Sequence, residues 1–190
     1  MRKLIVSMNL SLDGYLSGPH CELDWHFEKW NDAMGDQLLE LLEKADSILL
    51  GRITYEAMAR YWSAKPLQQD FPRQDLAIAE QMERHTKIVF SKTTNSSRWS
   101  NTKFISADIK NEIQSLKQKK GKDILLFGSS TLVTTCIRHR LVDEYRLWIH
   151  PVILGKGKPL FTSPEDRIMM KLKGSILFES GVYLFSYEPE

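Results

Sequence analysis

Residues 47–56 read Ser-Ile-Leu-Leu-Gly-Arg-Ile-Thr-Tyr-Glu, and no other stretch constrains the fold as tightly. Ile48, Leu49 and Leu50 form an unbroken apolar run, the pattern of a central parallel strand covered on both faces. Gly51 permits a sharp turn and the close approach of another molecule. Arg52 adds a permanent, forked cation. Thr54 is placed to cap a helix carrying Tyr55, Met58 and Ala59, whose first N–H groups suit an anion. Strand, glycine, cation and helix in that order suit a phosphate, so the chain is expected to build a layered α/β sheet around this loop.

The rest of the chain supplies the layers. Leu4, Val6, Met8 and Leu10 alternate with Ile5, Ser7 and Asn9, a first strand that ends in the turn signal Asp13-Gly14. A long loop follows, containing Trp25, Phe27 and Trp30, which could wall a pocket or simply pack on the surface. Met34, Leu38, Leu41, Leu42 and Ala45 then mark one face of a helix. The helix after Gly51 is expected from Thr54 to about Tyr61. The polar stretch beyond, with Pro66 and Pro72, predicts one surface helix near residues 75–84. Residues 86–91 and 103–105 are short strands, Asp108 caps a helix with Ile109, Ile113 and Leu116 inward, and residues 124–127 are buried on both faces. A helix burying Leu132, Val133, Cys136 and Ile137 comes next. Residues 145–150 form a strand running through Pro151 into 152–154, and residues 175–179 and 182–187 pair as a hairpin around Ser180-Gly181. Alternating strands and helices followed by consecutive strands predict a three-layer α/β/α sandwich, one domain over 1–190, mostly parallel with antiparallel edge strands at the C-terminus.

Composition narrows the partners. A net charge of +2 in 190 residues argues against nucleic acid as the main ligand. Lys117, Lys119, Lys120 and Lys122 sit where a helix should end, so a solvated face accounts for them. No run approaches the ~18 apolar residues of a membrane span, and the N-terminus reads as a strand, so a cytoplasmic protein is expected. Cys21 and Cys136 form no metal or redox spacing, and the five histidines lack metal-ligand spacing, so no metal is expected. The Asn9-Leu10-Ser11 and Asn95-Ser96-Ser97 sequons read as accidental.

Three loops follow buried strands: Gly51 to Thr54, Ser91-Lys92, and Gly128-Ser129-Ser130-Thr131. In an open parallel sheet such ends share one edge, where ligands bind. Two of them open helices that suit a pyrophosphate, and Arg52, Ser91 and Lys92 would surround a further phosphate. No acidic residue follows these strands to take a ribose 2′-hydroxyl, which favours a dinucleotide bearing a 2′-phosphate. G-x-G-x-x-G and G-x-x-x-x-G-K-[ST] are both missing, and Gly155-Lys156-Gly157-Lys158-Pro159 reads as a turn.

The order of these motifs resembles the dihydrofolate-reductase-like superfamily, above all the reductase domain of riboflavin biosynthesis, the RibD C-terminal domain family. The resemblance rests on Ser11-Leu12-Asp13-Gly14, on residues 50–56, on Phe127-Gly128-Ser129-Ser130-Thr131-Leu132, and on Leu141-Val142-Asp143-Glu144-Tyr145-Arg146-Leu147 followed by residues 151–161. It implies NADPH as cofactor. Gly51, Arg52 and Thr54 would form its first loop, with Arg52 at the 2′-phosphate. Ser91 and Lys92 would lie around the adenosine ribose, and Gly128, Ser129, Ser130 and Thr131 around the pyrophosphate. Asp13 would lie in the loop beside nicotinamide and substrate. Hydride transfer to a C=N or C=O carbon is the implied reaction, and a homodimer using the late strands is the implied assembly.

The substrate half departs from both relatives. The riboflavin reductases' Thr-x-x-x-Asp-x-Pro-x-Leu-Thr-x-Arg segment is replaced by Ala57-Met58-Ala59-Arg60-Tyr61-Trp62, and Trp25 with Glu28, or with Asp32, only approximates the Pro-Trp loop and acid of dihydrofolate reductases. The expectation is an NADPH-dependent reductase of a small pterin- or pyrimidine-like substrate. Its pocket would be lined by Trp25, Phe27 and Trp30, with Asp13 or Glu28 on the proton path; as a turn residue before Gly14, Asp13 also has a plain structural reading. Two alternatives stand beside it: a 5-amino-6-(5-phosphoribosylamino)uracil reductase, and a nucleotide-binding protein that kept the fold without catalysis.

Overall fold

Eight strands form one sheet in the order β5-β4-β3-β6-β1-β7-β10-β9. The computed structural model describes residues 1–64, 73–93, 96, 98–162 and 167–190. The polar stretch around Pro66 and Pro72 lies outside the described residues, as does most of the second sequon.

The central strand is β1 (Leu4–Ser11), with β6 (Asp123–Leu126) and β7 (Glu144–His150) parallel on either side. Beyond β6 lie β3 (Ala45–Gly51), β4 (Thr86–Phe90) and β5 (Thr102–Ile105), all parallel. β10 (Tyr183–Pro189) runs antiparallel to β7, and β9 (Met170–Leu177) antiparallel to β10. The sheet is therefore mostly parallel with an antiparallel edge, as expected. The final hairpin is longer than residues 175–187 suggest, and β7 stops at His150 instead of continuing past Pro151.

Side-chain parity assigns the two faces. Leu4, Val6 and Leu10 pack with Ile113 and Leu116 of α5 (Ile109–Gln118) and with Leu132, Val133, Cys136 and Ile137 of α6 (Ser130–Arg138). Ile5 points the other way, into a cluster with Leu41 and Leu42 of α2 (Asp32–Glu43), Tyr55 and Ala59 of α3 (Arg52–Ala64), and Ile78 and Met82 of α4 (Arg73–Arg84). Two apolar layers sandwich the sheet, which is why β3 and β6 carry no polar alternation. The caps are local: the Asp108 carboxylate accepts from Asn111 N at 2.9 Å, and the Asn31 side chain accepts from Met34 N at 3.0 Å.

Two details differ from the sequence reading. α3 begins at Arg52, so Thr54 lies inside its first turn and does not cap it. Ala45 opens β3 and does not close α2. The aromatic loop also holds regular structure: β2 (Tyr15–Ser17) pairs with β8 (Lys158–Pro159), and α1 (Asp24–Phe27) is one helical turn. Gly157, with φ +159°, lies so close to the Ser17 carbonyl that a Cβ there would collide with it. The turn read in residues 155–159 is thus also an edge of this small ribbon.

Candidate active site

The strand order places the three predicted loops side by side. β4, β3 and β6 are neighbours, so Ser91-Lys92, Gly51 to Thr54 and Gly128 to Thr131 succeed one another along the carboxyl edge, with β1 next. From β4 to β1 is three strand spacings, about 14 Å, a span that suits an extended dinucleotide.

The two glycine loops meet directly. Gly51 N donates to Gly128 O at 2.9 Å. A Cβ on Gly51 would stand 2.5 Å from Ser129 Oγ and 3.1 Å from Ser129 N, so no other residue fits there unchanged. Gly128 has φ +116°, and a Cβ on it would meet Thr54 Oγ1 at 3.4 Å and Met8 Cε at 3.5 Å. The Gly128–Ser129 peptide is cis. Ser129 precedes α6 without a side-chain cap, which leaves the first-turn N–H groups at Ser130 and Thr131 open for an anion. The residues present thus fit a pyrophosphate: small where backbones converge, with N–H donors and no carboxylate on either loop.

The flanking loop behaves differently. Arg52 is ion-paired with Glu56 one helical turn on, Nη1 to Oε1 at 3.0 Å, with both side chains partly exposed. A phosphate reaching Arg52 has to compete with that carboxylate. Ser91 N donates to Ile105 O at 3.0 Å, Ser91 Oγ accepts from Thr93 N at 3.2 Å, and Lys92 is exposed.

The predicted carboxylates separate. Asp13 accepts from Ser11 Oγ at 2.6 Å, Leu154 N at 3.1 Å and Gly155 N at 2.8 Å. The Ser11 hydroxyl and the two backbone donors hold its pKa below the usual carboxylate value. It is an anion that latches the β1–β2 turn to residues 154–155, an arrangement unsuited to storing a proton. Glu28 is exposed at the end of α1.

The three aromatics separate as well. Trp30 packs 6.0 Å from Trp148, among Met34, Phe178, Val182 and Leu184, as part of the core. Phe27 is half exposed and lies 5.8 Å from Tyr61 of α3. Trp25 stands edge-on to His150 at 5.2 Å, and Lys158 Nζ donates to Cys21 Sγ at 2.7 Å, tying this loop to β8.

His26 and His150 were missed by sequence reasoning. Their rings meet at 6.1 Å, both are buried, and each Nδ1 lacks a hydrogen-bond partner. Burial pushes both pKa values down to about 4. His26 thus joins a histidine 124 positions away and not its loop neighbours His20 and Cys21. One signal was available: a histidine directly after the apolar run Leu147-Trp148-Ile149 at the end of β7.

A mostly parallel sheet with an antiparallel edge and adjacent glycine loops at its carboxyl end is an α/β fold of the dihydrofolate-reductase type. The chain belongs to the RibD C-terminal domain family, whose model matches residues 2–184. It is 37% identical to the uncharacterized protein YyaP of Bacillus subtilis (strain 168) over 186 residues, covering 98% of this chain and 94% of that protein. Among solved structures, a protein ascribed to riboflavin biosynthesis in Shewanella sp. PV-4 superposes with a TM-score of 0.76 at 21% identity, covering 99% of both chains. Dihydrofolate reductase from Enterococcus faecalis, complexed with NADP(H), does so with a TM-score of 0.63 at 14% identity, over 99% of this chain and 96% of that one. The family indicates a reductase role. Among the described residues, no helix is long and apolar enough to cross a membrane.

Proposed function

We propose that the protein is an NADPH-dependent reductase that transfers hydride to a C=N or C=O carbon of a small pterin- or pyrimidine-like substrate. The observation that carries this reading is the meeting of the Gly51 and Gly128 loops beside an uncapped helix N-terminus, next to β1. Bound nicotinamide supplies the hydride. The chain's own residues do the rest. Gly128 to Thr131 hold the pyrophosphate by backbone N–H groups, with Thr54 packed against Gly128. Arg52 exchanges Glu56 for the 2′-phosphate, and Ser91 and Lys92 flank the adenosine ribose. Asp13 holds the turn that closes over the end of β1, and Trp25 and Phe27 wall the crevice. With the Asp13 carboxylate held by Ser11 and two backbone donors, Glu28 is the candidate for the proton path.

We also propose a homodimer. β9 is exposed from Lys171 to Leu177, with Leu172 and Leu177 more than half accessible. Beside them on β10, Tyr183 stacks on Phe185 at 5.4 Å and Phe185 lies 5.9 Å from Tyr187, an apolar face that a second copy would cover.

Titration with NADPH and NADH, followed by tryptophan fluorescence, tests the cofactor. Tighter binding of NADPH is expected, and equal or absent binding overturns the reading. NADPH oxidation with a panel of pterins, pyrimidines and cyclic imines tests catalysis. NADPH binding without turnover across that panel favours the non-catalytic alternative.

A further inference from the structure

The α2-facing side of β1 is polar where the sheet approaches the crevice. Ile5 is followed on that face by Ser7 and Asn9, and the partner strand β7 contributes Trp148 and His150. Trp148 Nε1 donates to Ser7 Oγ at 3.1 Å, and His150 Nε2 lies 2.9 Å from Asn9 Oδ1. The residue before Asn9, Met8, reaches the Gly128 loop. Asn9 is therefore one residue from the cofactor cradle, on the strand next to it.

We propose that Asn9 is the substrate-recognition residue of this crevice, donating its amide N–H groups to a ring carbonyl oxygen of a neutral oxo-substituted heterocycle, and that His150 is the residue positioning that amide. This rests on the reductase reading above.

The hydrogen bonding dictates the direction. An amide oxygen only accepts, so His150 Nε2 carries the proton and Asn9 Oδ1 is occupied. The Asn9 amide nitrogen is then turned away from His150, and it donates to no described residue. It is also not enclosed: the only enclosed side-chain atoms without partners among the described residues are Nδ1 of His26 and Nδ1 of His150. His150 is fully buried and leaves its Nδ1 bare, which is a cost to the fold. That cost buys one orientation of one amide.

At its crevice end the strand floor is also uncharged, with Arg146 and Glu144 lying further down the same face opposite Ser7 and Ile5. Burial, and then the neighbouring His26, hold the His150 pKa near 4, so the ring is neutral at pH 7. The buried positions of α2 above it are Met34, Gly35, Leu41 and Leu42. A neutral donor surface selects a carbonyl acceptor, whereas a carboxylate would select a protonated amino-heterocycle.

The probes are 2,4-dioxopteridine and 2,4-diaminopteridine, titrated calorimetrically into the protein with and without saturating NADPH. The unmodified protein is expected to bind the dioxo compound about tenfold more tightly. Asn9→Leu should abolish that preference and Asn9→Asp reverse it. His150→Phe should weaken dioxopteridine binding about tenfold while His150→Gln, which keeps a donor, restores most of it; a purely structural role would not distinguish these two. Circular dichroism and NADPH affinity confirm that each variant folds. Equal or inverted preference in the unmodified protein, an unchanged ratio in folded Asn9→Asp, or binding of NADPH without either pteridine overturns the inference. Failure to bind NADPH overturns the reductase reading instead.

Discussion

Arg52 shows how much a single side chain can be asked to do. It is held by Glu56 at 3.0 Å, yet both groups are partly exposed, and a solvent-accessible i, i+4 pair contributes little to stability. The pair is therefore easily exchanged for a phosphate, which accepts forked hydrogen bonds at least as well as a carboxylate. Arg52→Ala is expected to weaken NADPH by about ten- to a hundredfold and to leave NADH nearly unchanged. Glu56→Ala should leave the melting temperature unaltered and tighten NADPH a few-fold. Equilibrium titration with both nucleotides checks each. Asp13 is the opposite case at the same scale. Three donors hold its carboxylate, so a residue resembling a catalytic acid in the sequence is committed to a latch across 142 positions of chain, reaching Gly155.

Elements fail or hold through their contacts. The β3–α3 junction has no room at Gly51: with Ser129 N 3.1 Å from a new Cβ, Gly51→Ala must push the two loops apart. It should cost about 1–3 kcal/mol and weaken NADPH more than tenfold, read by thermal unfolding and titration. The short α1 is held differently, by the burial of His26 against Trp25 and His150. Both imidazoles titrate near 4 in the folded chain against an ordinary value of 6.5. Burial dominates at both sites, and at His26 the Leu23 backbone hydrogen bond and then the Asp24 charge offset it only partly. Between those values the unfolded chain binds more protons. The stability is therefore fully present above pH 6.5 and is lost as pH falls toward 4, on the order of 3 kcal/mol per ring. Denaturation midpoints should fall between pH 7 and 4.5, and a variant with His26→Phe and His150→Phe should show a flatter profile over that window. The lowered carboxylates, Asp13, Glu22, Glu40 and Glu188, act below it.

At the scale of the whole molecule, the proposed homodimer would bury the uncovered β9–β10 face. Leu172→Glu with Leu177→Lys is expected to convert the dimer to a monomer in light scattering, with the circular dichroism spectrum retained; a monomer before substitution would sink the idea. The fold was legible because its signals are local. Apolar runs at 48–50 and 124–126, glycines after them, and helical spacing in α2, α5 and α6 follow from covering a parallel sheet on both faces. The aromatic loop was less legible: Trp25, Phe27 and Trp30 look alike in the sequence, yet they meet His150, Tyr61 and the core respectively. Lys87 was illegible. It is fully buried in β4, with Nζ donating to the carbonyls of Met82 and Glu83 at the end of α4 and lying 4.6 Å from the Trp99 ring, where a lysine in a strand ordinarily reads as exposed. The layers and the adjacent glycine loops could be read from sequence alone, because periodicity and glycine act within a few residues. Only the tertiary structure decided that Asn9 meets His150 and that Asp13 is already occupied, because these pairings join strands and loops some 140 residues apart, whose register is set by the packing of the whole sheet.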